Sequence, residues 1–492
     1  MICQRNVRVS RWIGFTLPLL LWAPPAVAAG DGRDLLLDHG RASAQRPLGD
    51  DPVRRGSAST LLEFEDHDYV NPFTGGVAWE TSQNADVLAM EWAFVGVSEV
   101  LPVCSGPFDW TIVDMFLARV ASRGHQAILR PVFFGPGYGL ENFAPDDLSV
   151  ADFIYDGETY DNPRWDLPAT QSCVLQFIDA FAARYENDLR IAYVQMGLAG
   201  LWGEHHLDGA SYTAANFPSI AFQKTMISHY LEGFGSTSSD LLSSLSLDSS
   251  QSHGFFGSDD TSFDAERVGF FDDSLLIANH GAPGNWRQQP HPAEQLLLHS
   301  RHGWGGEAFW DPCNKDSLWI VSPHDCGNGE SLGAQAGRIG LSYMLGSPAF
   351  HDSSVSSVDL LTASQMMGYK FTATDAVRQD AGHVAVVVEN TGAAYCPYRV
   401  QVCTEQGCAG DLSALAPGND MVVSVPASAS EMQVLFLTSP RLDLASQQKI
   451  RWSNVGADGA ASTLTVTVDA VEEIFVDGFE SGTTEAWTTS TP

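Results

Sequence analysis

The chain has 492 residues, 60 of them acidic and 26 basic, for a formal net charge of −34 at neutral pH. That balance argues against a nucleic-acid partner, because binding phosphates needs a basic face that releases counterions. The length exceeds what one hydrophobic core usually serves, so two or more domains are expected.

Residues 1–29 open with Arg5, Arg8 and Arg11, pass through an apolar run from Trp12 to Trp22, and end in the small residues Ala26, Val27, Ala28 and Ala29. This is the layout of a secretory signal peptide with an A-x-A cleavage site, too short and too Pro-flanked to span a bilayer. The predicted location is secreted or periplasmic, with no membrane insertion after cleavage. Residues 30–60 are rich in Gly, Arg, Asp and Ser without apolar periodicity, which predicts a flexible lead-in.

From 61 to 364, apolar runs of strand length alternate with amphipathic stretches of helix length. Residues 87–95 (VLAMEWAFV) read as a buried strand. Residues 110–123 place Ile112, Val113, Phe116, Leu117 and Val120 at helical spacing, with Gly124 as the stop. Residues 126–134 read as a strand, 174–185 as a helix and 191–198 as a strand. Such units imply parallel pairing through right-handed crossovers, and their repetition favours an α/β (β/α)8 barrel over an open sheet. After Gly368 the texture changes. Short strands at 369–375, 383–389, 398–404, 420–425, 432–438, 450–453 and 462–468, broken by turn residues, predict an antiparallel β-sandwich over 365–470. An acidic, polar tail fills 471–492.

Seven cysteines follow the signal segment, which suits an oxidising compartment. Cys313 and Cys326 bracket a short loop-like stretch and are the first expected disulfide, worth about 3 kcal/mol by loop closure. Cys104 with Cys173, and one pair among Cys396, Cys403 and Cys408, are the other candidates. Zinc at the last cluster is disfavoured, since no paired C-x-x-C pattern or nearby histidine accompanies it.

The stretch richest in chemistry is 191–206, IAYVQMGLAGLWGEHH, where a buried strand runs into Gly-rich backbone and then presents Trp202, Glu204, His205 and His206. Barrel enzymes carry their chemistry at the C-terminal ends of strands. An acid beside an indole is partly desolvated, which moves its pKa towards that of a general acid. Helix capping or pairing with an arginine is the structural alternative for Glu204. Residues 303–310, GWGGEAFW, place Glu307 after two glycines among Trp304, Phe309 and Trp310, a composition suited to stacking and hydrogen-bonding a sugar. In 268–274, VGFFDDS, Asp272 and Asp273 are adjacent on a strand, so at most one faces the lumen. Glu80, Glu91 and Trp92 add polar and aromatic groups at the first strand end, and Arg130 is expected to pair with a barrel carboxylate. The histidines His205, His206, His280 and His302 form no recognised ligand spacing, so neither metal nor cofactor is expected. The absence of a G-x-S-x-G elbow and of a P-loop removes those two hydrolase classes.

Taken in order, NPFTGG (71–76), FDW (108–110), RGHQAILRP (123–131), the run 184–206, VGFFDDS, GGE (305–307), MGYKF (367–371) and VVVENTGAAYCPYRV (386–400) give the chain a family likeness over 71–439. It resembles the uncharacterised bacterial family known as domain of unknown function 4832, a glycosidase-like barrel followed by a small β-domain. The resemblance implies a barrel related to retaining glycosidases, with a carbohydrate or glycoconjugate partner. Where relatives tend to carry an aromatic after the WGE, this chain has His205 and His206, and the glutamate near the first strand end falls within SEVLP, 98–102.

The expectation is thus a secreted glycoside-hydrolase-like protein acting on a polysaccharide or oligosaccharide. Glu204 would be the general acid/base and Glu307 the carboxylate that attacks or stabilises the anomeric carbon. Trp79, Trp92, Trp202 and Trp304 would stack on sugar rings, and Glu91, Arg130, His205, Asp272 and Asp273 would line the site. Two other readings stand beside it: a carbohydrate-binding protein without cleavage, and a structural or adhesive surface protein.

Overall fold

The computed structural model describes residues 62–65, 68–79, 87–137, 142–207, 213–234, 242–246, 269–276, 300–308, 331–345 and 355–469. The expected signal peptide, lead-in and acidic tail lie outside these residues, as do Cys313 and Cys326.

Eight strands pair in parallel: β1 (Gly75–Trp79), β2 (Met90–Gly96), β3 (Gln126–Val132), β6 (Ile191–Gln195), β7 (Leu242–Ser246), β8 (Gly269–Leu275), β9 (Trp304–Ala308) and β10 (Leu341–Leu345). Their hydrogen-bonded order follows the chain and returns, because β10 pairs with β1 as well as with β9. Strands β1, β2, β3, β6, β9 and β10 are buried on both faces, which is why β2, β3 and β6 read in the sequence as nearly unbroken apolar runs. In β2, Met90, Trp92 and Phe94 point into the lumen cluster while Ala93 and Val95 face the helix layer. That layer includes helices α1 (Val97–Val100), α2 (Thr111–Ser122), α3 (Pro168–Tyr185) and α4 (Ile220–Phe234), together with Leu332–Ile339 and Ser357–Ser364.

One element was not anticipated. Between β3 and α3 the antiparallel hairpin of β4 (Val150–Tyr155) and β5 (Glu158–Pro163) is inserted. Its turn is Asp156-Gly157, with φ of 49° and 83°, the left-handed pair that a two-residue type I′ turn needs. The Asp-Gly dipeptide was a legible hairpin signal.

The C-terminal region forms two antiparallel sheets. One has the order β11 (Phe371–Asp380), β12 (His383–Asn390), β15 (Asp420–Pro426). The other runs β14 (Gly407–Ala409), β13 (Gln401–Thr404), β16 (Met432–Thr438), β17 (Thr463–Thr467). The expected strand at 450–453 is reduced to a single bridge between Ile450 and Leu437, and β14 is additional.

This β-domain closes the N-terminal end of the barrel. Tyr398 donates its hydroxyl to the carbonyl of Ala192. Buried Arg441 donates from Nη2 to the carbonyls of Asp188 (2.9 Å) and Ile191 (2.8 Å), at the start of β6. Gln126, at the start of β3, returns a bond from Nε2 to the Arg441 carbonyl at 3.0 Å. Phe73, Tyr193 and Tyr343 at the bottom of the lumen share one apolar cluster with Val386, Val400 and Leu435 of the β-domain. With its floor covered, the lumen of the barrel is reached from the C-terminal end of its strands.

Disulfides join Cys104 to Cys173 and Cys403 to Cys408, both among the expected pairings. The first spans 69 residues, which corresponds to about 4 kcal/mol of loop-closure entropy. Cys396 is a buried free thiol whose pKa burial pushes up. Among the described residues, no helix is long and apolar enough to cross a membrane.

Candidate active site

The loop after β6 brings the first acid to the barrel mouth by an unusual backbone path. Leu198, Trp202 and His205 have φ of 75°, 51° and 60°, and Gly200 and Gly203 have φ of 79° and 70°. Positive φ at non-glycine residues costs on the order of 1–3 kcal/mol each and persists only where the surroundings over-determine it. Here they do. Leu198 donates its N–H to the carbonyl of Pro131 at 2.8 Å, Trp202 to that of Phe134 at 3.1 Å, and His205 to that of Ala199 at 2.8 Å. Gly197 is required by space, since an added Cβ would lie 1.9 Å from the Pro131 carbonyl oxygen.

His205 is a staple of this loop and not the expected substrate contact. It is 2% exposed, and its Nε2 must carry the proton because it lies 2.7 Å from the carbonyl of Met196, which can only accept. Burial is the main cause that pushes its pKa from 6.5 down to about 4, with the backbone bonds opposing. The unfolded imidazole takes a proton near 6.5, whereas the folded one stays neutral until about 4. The stabilising contribution is therefore complete above pH 6.5 and falls by about 3 kcal/mol as pH drops to 4. Urea titrations between pH 7 and 4 should show this loss, and His205→Gln, which keeps a donor without titrating, should flatten it. Identical pH slopes for the two proteins would contradict this role.

Glu204 is 7% exposed and fully engaged. Its Oε1 accepts from Nη1 of Arg130 at 2.8 Å, and its Oε2 lies 3.2 Å from Nε2 of His206. Arg130 reaches this position from the lumen face of β3. It is 1% exposed, donates from Nε to Oε1 of Gln195 at 2.6 Å, and lies 4.4 Å from the ring centroid of Phe271. Gln195 also accepts from Nε1 of Trp92 at 2.9 Å and donates to the Tyr343 hydroxyl at 3.2 Å. Arg130 thus pairs with a barrel carboxylate, as expected, and a polar chain crosses the lumen just beneath the acid.

Glu307 reaches the mouth from β9. Gly305, two residues earlier on the same face, would meet the ring of Tyr343 at 2.0 Å if it carried a Cβ, so this face looks into the lumen. Glu307 is half-buried one residue from the strand end. In barrel order Glu204 follows the fourth strand and Glu307 sits on the seventh, three places apart in a ring of eight. Trp79, half-buried at the end of β1, packs edge-on at 4.7 Å against Trp92. Trp202 lies over Gly135, donates Nε1 to the Pro136 carbonyl at 2.9 Å, and meets Tyr155 of the inserted hairpin edge-on at 6.0 Å.

Other expected site residues lie elsewhere. Glu91 faces the helix layer near the start of β2 and is fully buried. Arg123 holds it with bonds of 2.7 and 2.5 Å, and Nδ1 of His125 lies 2.7 Å away. Burial works to raise its pKa, but those bonds outweigh it and the net shift is downward. Trp92 is 1% exposed in the lumen interior and Trp304 is 2% exposed in the outer cluster with Leu332 and Ile339, so neither offers a face to a sugar. Asp272 is 2% exposed and follows lumen-facing Phe271, so alternation sets it on the other face. The side chain of Asp273 lies outside the described residues.

A third rim acid was not among the expected site residues. Glu99, in α1 directly after β2, folds back over Gly96: a Cβ on that glycine would be 2.7 Å from Oε2 of Glu99 and 2.4 Å from the ring of Phe143. Desolvation pushes its carboxyl pKa up, against a bond from the Gly96 N–H. The available signal was an acid immediately following an apolar strand. Among the described residues no group of three or more His, Cys, Asp or Glu is placed to hold a metal ion.

No family model and no curated protein matches the chain. Among solved structures it is similar to a family 39 glycoside hydrolase from the gut symbiont Bacteroides cellulosilyticus WH2, at 11% identity and TM-score 0.38, over 74% of this chain and 81% of that one. It is also similar to a GH5_18 protein from Bifidobacterium longum subsp. infantis, at 8% identity and TM-score 0.37, over 61% and 80%. A third is the Pseudomonas stutzeri endoglucanase Cel5A in complex with cellobiose, at 7% identity and TM-score 0.35, over 62% and 95%.

Proposed function

We propose that this chain is a glycoside-hydrolase-like protein that acts on an oligosaccharide or polysaccharide at the C-terminal mouth of its barrel, with Glu204 and Glu307 as the carboxylate pair. The observation that carries the reading is the delivery of these two acids to one rim from the fourth and seventh strands. The half-buried aromatic Trp202 stands at the same rim, where an apolar ring face suits pyranose stacking, and half-buried Trp79 lies lower in the lumen beside Trp92.

In this reading Glu307 attacks or stabilises the anomeric carbon while Glu204 serves the glycosidic oxygen. Arg130 occupies Oε1 of Glu204, which leaves the proton to be held on the axis between Oε2 and Nε2 of His206. Carboxyl groups about 5–5.5 Å apart leave no room for an intervening water and give retention through a covalent intermediate. Retention is the outcome proposed here. The chemistry calls for no cofactor. Export from the cytoplasm belongs to the same proposal and is supported by the two disulfides among the described residues.

A second reading, carbohydrate binding without cleavage, is favoured by the Arg130–Glu204 ion pair, because a carboxylate locked to a guanidinium is a poor proton source. Screening the full-length protein against a glycan panel, by binding and by release of reducing ends, separates the two. Release with retained anomeric configuration is the expected result. Binding without release on any glycan would establish the second reading, and neither binding nor release would overturn both.

A further inference from the structure

At the end of the barrel away from the acids, a cleft of about 600 Å³ opens between the strand starts and the β-domain. Its volume falls within the ~300–1,000 Å³ typical of small-ligand sites. Arg123 and His125 line it from the barrel, Asp68 from the segment before β1, and Gln448, Lys449 and Arg451 from the β-domain.

The charge of this cleft runs against that of the chain. In a protein with 60 acids and 26 bases, cations should find carboxylates easily. Arg123 does, through Glu91. Lys449 and Arg451 do not: among the described residues, Nζ of Lys449 donates only to the carbonyl of Ala460 at 2.8 Å, and the guanidinium of Arg451 lies 4.4 Å over the ring of Tyr69. Among the described residues the cleft therefore carries positive charge that no carboxylate holds, with Asp68 as its one lining acid.

We propose that this cleft binds a small ligand carrying an oxyanion, with Lys449 and Arg451 as its donors. Charge-assisted bonds from a fixed guanidinium and an ammonium suit a group with several oxygens. Tyr69 holds Arg451 in place, and Glu91 neutralises Arg123, so Lys449 and Arg451 carry the operative charge.

The test is calorimetric titration of the full-length protein, at low ionic strength, with inorganic sulfate, inorganic phosphate and glucuronate as separate probes. Saturable binding of at least one is expected, weakened at least tenfold in Lys449→Ala/Arg451→Ala and tightened several-fold in Asp68→Asn, which removes the repelling acid. Binding of glucuronate alone would identify a sugar carboxylate as the ligand, and binding of sulfate or phosphate a tetrahedral oxyanion. Lys449→Ala alone, at an exposed position, keeps the test decisive if the double variant does not fold. Failure of all three probes to bind saturably, or binding undiminished by Lys449→Ala and by the double variant, would overturn the proposal.

Discussion

Glu307→Gln is expected to lower turnover by a factor of about a thousand or more on every substrate, because the amide has no oxygen able to attack or neutralise the anomeric carbon. Glu204→Gln should behave differently. It fills the same space but cannot donate a proton, so cleavage of poor leaving groups should fall by about 10²–10⁴ while activated aryl glycosides remain substrates. Comparing the two variants on natural and aryl glycosides separates the roles. Rates that survive both substitutions within about tenfold would show that the wrong acids were assigned. Glu99, whose carboxyl desolvation favours in the protonated form, would then be the next to replace.

Arg130→Met should destabilise the protein by about 3–5 kcal/mol, since it removes the guanidinium that offsets the buried charge of Glu204. The double variant Arg130→Met/Glu204→Gln should recover most of that loss, because the uncompensated charge is gone. Equilibrium unfolding in urea reads both. A single variant within about 1 kcal/mol of the parent would mean that Glu204 is solvated or paired elsewhere, and that the ion pair does not organise the mouth.

The parallel strands were legible because burial on both faces writes an apolar run into the sequence, as in 87–95 and 126–134. The segments around Glu204 and Glu307 were legible because glycines beside an acid mark close backbone approach, seen at Gly197 and Gly305. Exposure within the lumen was not. Trp79 and Trp92 are register partners on neighbouring strands and both point into the lumen, yet Trp79 is half-buried and Trp92 is 1% exposed. Glu91 shows how one position of register decides a role: beside Trp92, it faces the other way and is held by Arg123. The closing of the floor was invisible for a different reason. Arg441 and Ile191 meet across 250 residues, a distance over which no local pattern carries information.

That floor also sets an order of events during synthesis. Phe73, Tyr193 and Tyr343 all emerge before Tyr398, Arg441 and the strands of the β-domain that cover them. Until the last quarter of the chain is made, the barrel has an apolar underside with no lid, the kind of surface that binds chaperones and drives aggregation in partly made chains. A fragment ending near Gly368 would keep that underside exposed and is expected to aggregate or stay chaperone-bound.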